Sequence, residues 1–113
     1  MIQRENRLKK NKHFKFIYKH GETKHTKTLS VVFVKTKIKP FKVGFSVSKK
    51  IGKSVVRNKV KRRLCASFAE ISKNVDKSYN YVFIAKDGIS ELTYQDIKQN
   101  MIELIKRANL YVD

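Results

Sequence analysis

The stretch SKKIGKSVVRNKVKRRLC, residues 48–65, decides how the rest of the chain must fold. It is rich in Lys and Arg and contains no Asp or Glu, yet its apolar residues and those that follow recur at helical spacing. These residues share one side of a helical wheel: Val56, Val60, Leu64 and Ile71, with Phe68 at the edge. The pattern predicts a helix that opens at residues 52–54, is capped by Ser54, ends near residue 73 and packs this apolar stripe into a core.

A polar row lies beside the stripe on the same helix. Arg57 and Lys61 are four residues apart, as are Asn58 and Arg62, so the four side chains lie together, and Cys65 continues the row. Like charges at this spacing each cost ~0.2–0.5 kcal/mol, and cations near a helix N-terminus oppose its dipole. Phosphates would compensate this cost, so the row indicates an anionic partner rather than a solvated face. Two further cations point to the other flank and are expected to be solvated: Lys59 and Arg63.

The charge of the whole chain supports the same conclusion. Residues 1–63 hold 21 bases and two acids, whereas residues 64–113 hold six bases and seven acids, and the formal net charge is +18. The electrostatic field of this positive charge attracts polyanions. Nucleic acid is therefore the first partner to consider, and an anionic membrane surface is the second. A basic surface kept for solubility is the alternative. The 113 residues, 41% of them hydrophobic, suit one domain over residues 1–113.

Helix and strand signals precede the basic helix. After a basic tail at residues 1–10, Asn11 is predicted to cap a short helix that ends at Gly21. This helix carries three large apolar residues at helical spacing: Phe14, Ile17 and Tyr18. Residues 28–35, TLSVVFVK, are β-branched and apolar, as is typical of a strand. A second strand is predicted for residues 42–48, KVGFSVS.

The second strand has two different faces. Large apolar residues, Val43, Phe45 and Val47, alternate with small ones, Gly44, Ser46 and Ser48. The apolar face suits a core, and the small-residue face allows another backbone to come close. The alternatives are that this face lies open to solvent or is packed under a helix.

The C-terminal third completes an α/β pattern. A turn at residues 74–78 leads to a strand at residues 79–85, YNYVFIA, and Thr93 with Asp96 forms a capping box for a last helix. The apolar stripe of this helix should pack on the sheet: Ile97, Met101, Leu104, Ile105 and Ala108. The predicted fold class is α/β, specifically an α+β two-layer sandwich that consists of a small mixed sheet with a central basic helix. The order is helix, strand, strand, helix, strand, helix, with room for one further strand before the central helix.

Other classes of protein have little support. The N-terminus has no apolar segment of a signal peptide and no run approaches the ~20 residues of a membrane span, so we expect a cytoplasmic protein without a membrane partner. A single Cys cannot form an internal disulfide, and with three His it lacks zinc-ligand spacing. His13, His20 and His25 have no carboxylate spaced to orient them and are expected to be solvated. No pair of acids suits two-metal chemistry, so we expect no catalytic residue in this chain.

The run KKIGKSVVRNKVKRR, with FSVS before it, NRLKKNKHF near the start and GISELTYQDIK after it, closely resembles the protein subunit of bacterial ribonuclease P. The signature helix of that family carries an Arg-Asn pair followed by Lys-Arg. The resemblance implies a ribosomal protein S5 domain 2-like fold. It also implies an accessory subunit of a ribonucleoprotein endonuclease that removes the 5′ leader from precursor tRNA. The RNA subunit would perform the Mg²⁺-dependent hydrolysis. The protein would bind that RNA and the leader, with no tightly bound cofactor and no stable protein partner.

The resemblance also implies the site residues. The RNA-binding set of the signature helix and its approach would be Lys49, Lys50, Lys53, Arg57, Asn58, Lys61 and Arg62. The leader-binding cleft would be lined by Arg7, Lys10, Phe14, Tyr18, Ser46 and Ser48. The resemblance does not identify a metal ligand in this chain, although Asn58 is a candidate contact for the water shell of an ion. Phe14 has a competing interpretation as a core residue, because aromatic side chains at helical spacing usually pack inward.

Two positions depart from the family pattern. The family commonly has Arg where this chain has Cys65, and its aromatic residue on the first cleft strand falls near Val32 or Phe33. The alternative function is a structural RNA-binding protein, such as a ribosomal or ribosome-associated protein, which would share the charge and the fold.

Overall fold

A mixed four-stranded sheet with the strand order β1-β2-β4-β3 forms the centre of the fold. The computed structural model describes residues 6–113, so residues 1–5 of the predicted tail lie outside the described residues. The strands are β1 (Glu22–His25), β2 (Leu29–Lys35), β3 (Val43–Ser46) and β4 (Tyr79–Ala85). β2 pairs with β1 and β4 in antiparallel fashion, whereas β3 and β4 are parallel. The mixed sheet and the α/β class are confirmed.

Three helices surround this sheet. They are α1 (Asn11–His20), α2 (Ser54–Ile71) and α3 (Tyr94–Arg107), with short 3₁₀ turns at Lys49–Ile51, Ser72–Asn74 and Ile89–Glu91. The order of the located elements agrees with the prediction, and residues 22–25, which no sequence pattern indicated, form the one further strand before the central helix, β1. No described helix has the length and apolar character needed to cross a membrane.

Two of the predicted N-caps are wrong by one residue. Lys10 and Lys53 occupy the cap positions of α1 and α2, and neither side chain makes a capping hydrogen bond. Asn11 and Ser54 are instead the first helical residues. Because α2 also has no acid in its first turn, the free N–H groups at its start add to the positive charge of the nearby lysines.

The main core lies between one face of the sheet and the helices α2 and α3. The stripe of α2 is buried as predicted, since Val60, Leu64, Phe68 and Ile71 are all at most 4% exposed. The Phe68 ring lies 5.7 Å from Phe83 and 6.2 Å from Tyr81, centroid to centroid, so α2 is anchored on β4. The central stripe of α3 is also fully buried: Ile97, Met101, Leu104 and Ile105.

The predicted capping box of α3 is confirmed. The Thr93 hydroxyl accepts a hydrogen bond from the Asp96 N–H at 3.1 Å, and the Asp96 carboxylate accepts one from the Thr93 N–H at 3.3 Å. These bonds satisfy two backbone donors at the start of the helix and fix where it begins.

α1 packs on the opposite face of the sheet. Ile17 is buried with Val32 and Val82, and Leu8 and Phe14 pack around them. Alternation along β2 therefore turns Val32 toward α1 and Phe33 toward the main core. Of the two candidates on the first cleft strand, Val32 is the one that faces α1.

A glycine allows α1 to lie close to the sheet. Gly44, Val82 and Val32 form one row across three neighbouring strands, and α1 crosses the sheet along that row. A Cβ atom at Gly44 would lie 2.6 Å from two carbons of the Phe14 ring. At Gly44 the small-residue face of β3 is therefore packed under a helix, which was one of the predicted alternatives.

The segment before α1 follows the free edge of β3. The Leu8 N–H donates to the Val43 carbonyl at 2.9 Å, and the Asn6 side-chain amide donates to the Phe41 carbonyl at 2.7 Å. These bonds use backbone acceptors of an edge strand that would otherwise be free, and they fix the start of α1 relative to the sheet.

Replacing Gly44 with Ala should lower the free energy of unfolding by about 1–3 kcal/mol, because the added methyl group overlaps the Phe14 ring. In an unstrained strand the same change ordinarily stabilises by about 0.5–1 kcal/mol. Urea denaturation followed by circular dichroism measures the difference. In a Phe14→Ala background, Gly44→Ala should cost little of the free energy of unfolding. The control is Ser46→Ala, which lies two residues further along the same face of β3. An equal cost with and without the Phe14 ring would contradict the contact.

Candidate nucleic-acid interface

The packing of α2 determines which of its side chains face outward. Because the stripe from Val60 to Ile71 is buried, the neighbouring side presents Asn58, Lys61 and Arg62, all exposed. Together with Cys65 they line a concave surface of ≈ 840 Å³. We call Arg57, Asn58, Lys61, Arg62 and Cys65 the basic face of α2. The structure brings three of the predicted residues, Asn58, Lys61 and Arg62, together on this surface, and Arg57 does not line it.

Arg57 is more buried than Asn58, Lys61 and Arg62. It lies eleven residues before Phe68, about three helical turns, and so falls at the border between the buried stripe and the basic face. Its side chain is half-buried, and its Nε atom is buried without a hydrogen-bond partner among residues 6–113. A guanidinium in this position has lost part of its hydration, which strengthens its attraction for an anion that reaches it.

Glu70, the one acid on α2, has its charge compensated within the protein. Its carboxylate accepts a hydrogen bond from the Tyr94 hydroxyl and lies 3.0 Å from Lys98 Nζ. The Tyr94 hydrogen bond, followed by the Lys98 contacts, lowers the pKa of Glu70, and the same hydrogen bond raises the pKa of Tyr94 to about 12. At neutral pH the carboxylate is therefore ionised but paired, so it weakens the basic face little.

Arg7 lies beside the basic face of α2. Side chains alternate along an extended segment, so when Leu8 joins the cluster under α1, Arg7 points to the other side of the β3 edge. There it lines the same concave surface as Lys61 and Cys65. Burial raises the pKa of the Cys65 thiol, and the charges of Arg7 and Lys61 reduce that rise. Arg7 thus supplies a cation next to the position where the resemblance leads one to expect Arg instead of Cys.

Three further predicted lysines precede α2, and the structure places all of them at the protein surface: Lys49, Lys50 and Lys53. The turn that presents them depends on Gly52, whose φ of 153° is a conformation that other residues rarely adopt. A Cβ there would also be crowded, at 3.1 Å from the Val56 side chain. The lysines surround the N-terminus of α2, where free N–H groups also attract negative charge.

Of the six residues predicted for the leader cleft, Arg7 lies beside the basic face of α2. Three of the other five lie around one flank of α1. Tyr18 is 43% exposed, and its ring centroid is 6.4 Å from that of the half-buried Phe14. Phe14 packs on Gly44, as its core interpretation requires, and its exposed part borders the same flank as Tyr18. Ser46 is partly exposed two residues further along β3. The other two members are exposed: Lys10 at the start of α1 and Ser48 after β3.

The sequence interpretation missed the sheet residues next to Ser46. Ser46 pairs with Ile84, and Ile84 pairs with Ser30, so these three side chains form the floor beside the Tyr18 flank of α1. The alternation of the strand YNYVFIA would have indicated Ile84. His25 is exposed, as expected, and its Nδ1 also lies 2.8 Å from the Ser30 hydroxyl.

One predicted solvated charge has a structural contact instead. The Arg63 guanidinium donates a hydrogen bond to the Leu92 carbonyl at 2.8 Å and so ties α2 to the segment that leads into α3. Lys59, its neighbour on the wheel, is exposed as expected. Within the described part of the chain, no group of three or more His, Cys, Asp or Glu residues is placed to hold a metal ion.

Comparison with known sequences gives a consistent result. The family model described as Ribonuclease P matches residues 2–109. The chain is 39% identical over 109 residues to a ribonuclease P protein component of Clostridium botulinum strain 657, which covers 96% of this chain and 98% of the relative. It is 37% identical over 111 residues to the ribonuclease P protein component of Caldanaerobacter subterraneus subsp. tengcongensis. This alignment covers 98% of this chain and 96% of the relative.

Solved structures agree with the sequences. The RNase P protein of Staphylococcus aureus superposes with a TM-score of 0.86 at 31% identity, over 94% of this chain and 97% of the other. The RNase P protein of Thermotoga maritima superposes with a TM-score of 0.81 at 27% identity, over 89% of this chain and 96% of the other.

Proposed function

The chain belongs to the ribonuclease P protein family, and from this membership we propose how its surfaces serve the enzyme. As the protein component of a ribonucleoprotein endonuclease that processes tRNA, it has the ribonuclease P RNA as its partner. Hydrolysis belongs to the RNA and its Mg²⁺, and this chain contributes binding. A cytoplasmic location and the lack of a tightly bound cofactor remain predictions.

We propose that the basic face of α2 binds the RNA subunit. The observation that carries this proposal is the location of Asn58, Lys61 and Arg62 on one exposed concave surface beside a buried stripe. Arg62 can give a phosphate two parallel hydrogen bonds, and Lys61 adds a compact charge. Asn58 can donate and accept at once, toward a base edge, a 2′-hydroxyl or the water shell of an ion.

We propose further that the Tyr18 flank of α1 binds the single-stranded 5′ leader. Tyr18 offers an accessible ring on which a base can stack, and the small side chain of Ser46 leaves room for a nucleotide backbone at the floor. Lys10 adds a cation at the end of the flank. Because stacking accepts any base, the contact with Tyr18 does not by itself require a particular leader sequence.

A structural RNA-binding protein of the ribosome would share the charge and much of the architecture. Family membership and the near full-length match to ribonuclease P protein components favour the processing subunit. The two functions differ in whether the protein changes cleavage of precursor tRNA.

The protein combined with its cognate ribonuclease P RNA should allow precursor tRNA cleavage at a Mg²⁺ concentration where the RNA alone is slow, because the cations of α2 neutralise phosphate repulsion. Lys61→Ala/Arg62→Ala should lower the affinity for the RNA subunit about tenfold or more, since two charge-assisted contacts are lost. Single-turnover cleavage against Mg²⁺ and RNA titrations measure both effects. Lys73→Ala/Lys77→Ala removes the same charge from another surface and should have little effect. If the protein bound both RNAs but left cleavage and its Mg²⁺ requirement unchanged, the assignment would be wrong.

Tyr18→Ala should weaken binding of precursor tRNA to the reconstituted enzyme about fivefold or more, the loss expected for one stacked base. Binding of mature tRNA without a leader should not change, and Tyr18→Phe, which keeps the ring, should behave like the unmodified protein. Equilibrium binding to both RNAs gives the comparison. Equal losses with and without the leader would show that this flank does not contact it.

A further inference from the structure

α1 divides its face of the sheet into two parts. It crosses along the row of Gly44, Val82 and Val32, so the row through Ser46 lies on one side of the helix and the row through Asn80 on the other. The wheel of α1 agrees with this division. Phe14 and Tyr18 project to one flank, Ile17 faces the sheet, and Phe16 with His20 projects to the opposite flank.

A concave surface of ≈ 470 Å³ lies on that opposite flank. We call it the second groove, and it is formed by Phe16 and His13 of α1, Val34 at the end of β2, and the following loop through Ile38 and Pro40. Phe16 is 55% exposed and Ile38 is 76% exposed, which are high values for large apolar side chains. None of the predicted site residues lines this groove.

The rim of the second groove is basic. Lys35 and Lys37 line it and are exposed, as is His13, and none of its described lining residues is Asp or Glu. An accessible aromatic ring beside cations, with no acid to repel a phosphate, is the combination that binds single-stranded nucleic acid. The Phe16 ring also packs against the ring of His20, whose centroid lies 4.5 Å away.

We propose that the second groove binds a nucleotide of single-stranded RNA. The base packs against Phe16 and Ile38, and its phosphates lie toward Lys35 and Lys37. This site is separate from the Tyr18 flank, because the body of α1 lies between them. The strand can belong to the RNA subunit or to the precursor tRNA, and the chemistry of recognition is the same for both. A second copy of this chain fits less well, since two strongly basic surfaces repel each other.

The test is an NMR titration of the ¹⁵N-labelled full chain with a five-nucleotide oligouridylate. Amide shifts are expected at Phe16, Lys37 and Ile38, in addition to any around Tyr18. In the Phe16→Ala/Lys37→Ala variant the affinity reported by the groove amides should fall about fivefold or more, the loss expected for one stacked base. Shifts around Tyr18 should be preserved. The matched control, Val112→Ala/Lys77→Ala, removes one exposed apolar side chain and one lysine from other surfaces and should retain both sets of shifts.

A second arm identifies the source of the strand. The groove variant is titrated with the ribonuclease P RNA alone and, as reconstituted enzyme, with precursor tRNA. Weaker binding in the first titration assigns the groove to the RNA subunit, and weaker binding only in the second assigns it to the substrate. Groove amides that do not respond to the oligonucleotide would overturn the proposal, as would groove shifts that follow protein concentration without RNA. Such results would leave the proposed function intact, because Lys61, Arg62 and Tyr18 lie outside the groove.

Discussion

The burial of the α2 stripe is the constraint on which the other features depend. Phe68 packs among the rings of Phe83 and Tyr81, and Val60, Leu64 and Ile71 extend the contact along the helix. Full burial of each such side chain contributes ~1.5–3 kcal/mol, which exceeds the ~0.2–0.5 kcal/mol cost of each like-charge pair on the same helix. The core can therefore hold an intrinsically unfavourable cluster of cations in a fixed, exposed orientation, as the proposed binding of RNA requires.

The other face of the sheet depends on a smaller feature, the missing side chain of Gly44. Because the Phe14 ring occupies that space, α1 lies across the strands and separates two surfaces with aromatic side chains. One contains Tyr18 and Ser46, and the other contains Phe16. The segment along β3 connects this face to α2, since adjacent residues place Leu8 under α1 and Arg7 beside Cys65.

Sequence reasoning predicted the features that repeat along the chain. The stripes of α2 and α3, the capping box at Thr93 and the residues of β4 all follow from local spacing, and the structure has them. What it missed depends on contacts between distant residues. Arg63 was expected to be solvated because of its place on the helical wheel. Its hydrogen bond to the Leu92 carbonyl could not be predicted, because Leu92 is remote in sequence. The location of Arg7 depends on pairing with β3, and the short polar strand β1 has no apolar pattern of its own and becomes a strand by pairing with β2.

In the proposed complex, RNA phosphates neutralise the basic face of α2. The most direct measurement is the salt dependence of the affinity for the ribonuclease P RNA, compared between the unmodified protein and Arg57→Gln/Lys61→Gln/Arg62→Gln. The slope of log K against log salt should shrink by up to ~0.7 for each lost contact, or about 2 in total. A control with the same charge change elsewhere, Lys59→Gln/Lys73→Gln/Lys77→Gln, should keep the original slope. If the slope of the first variant were also unchanged, the basic face of α2 would be only solvated, and the proposed contacts with RNA phosphates would be wrong.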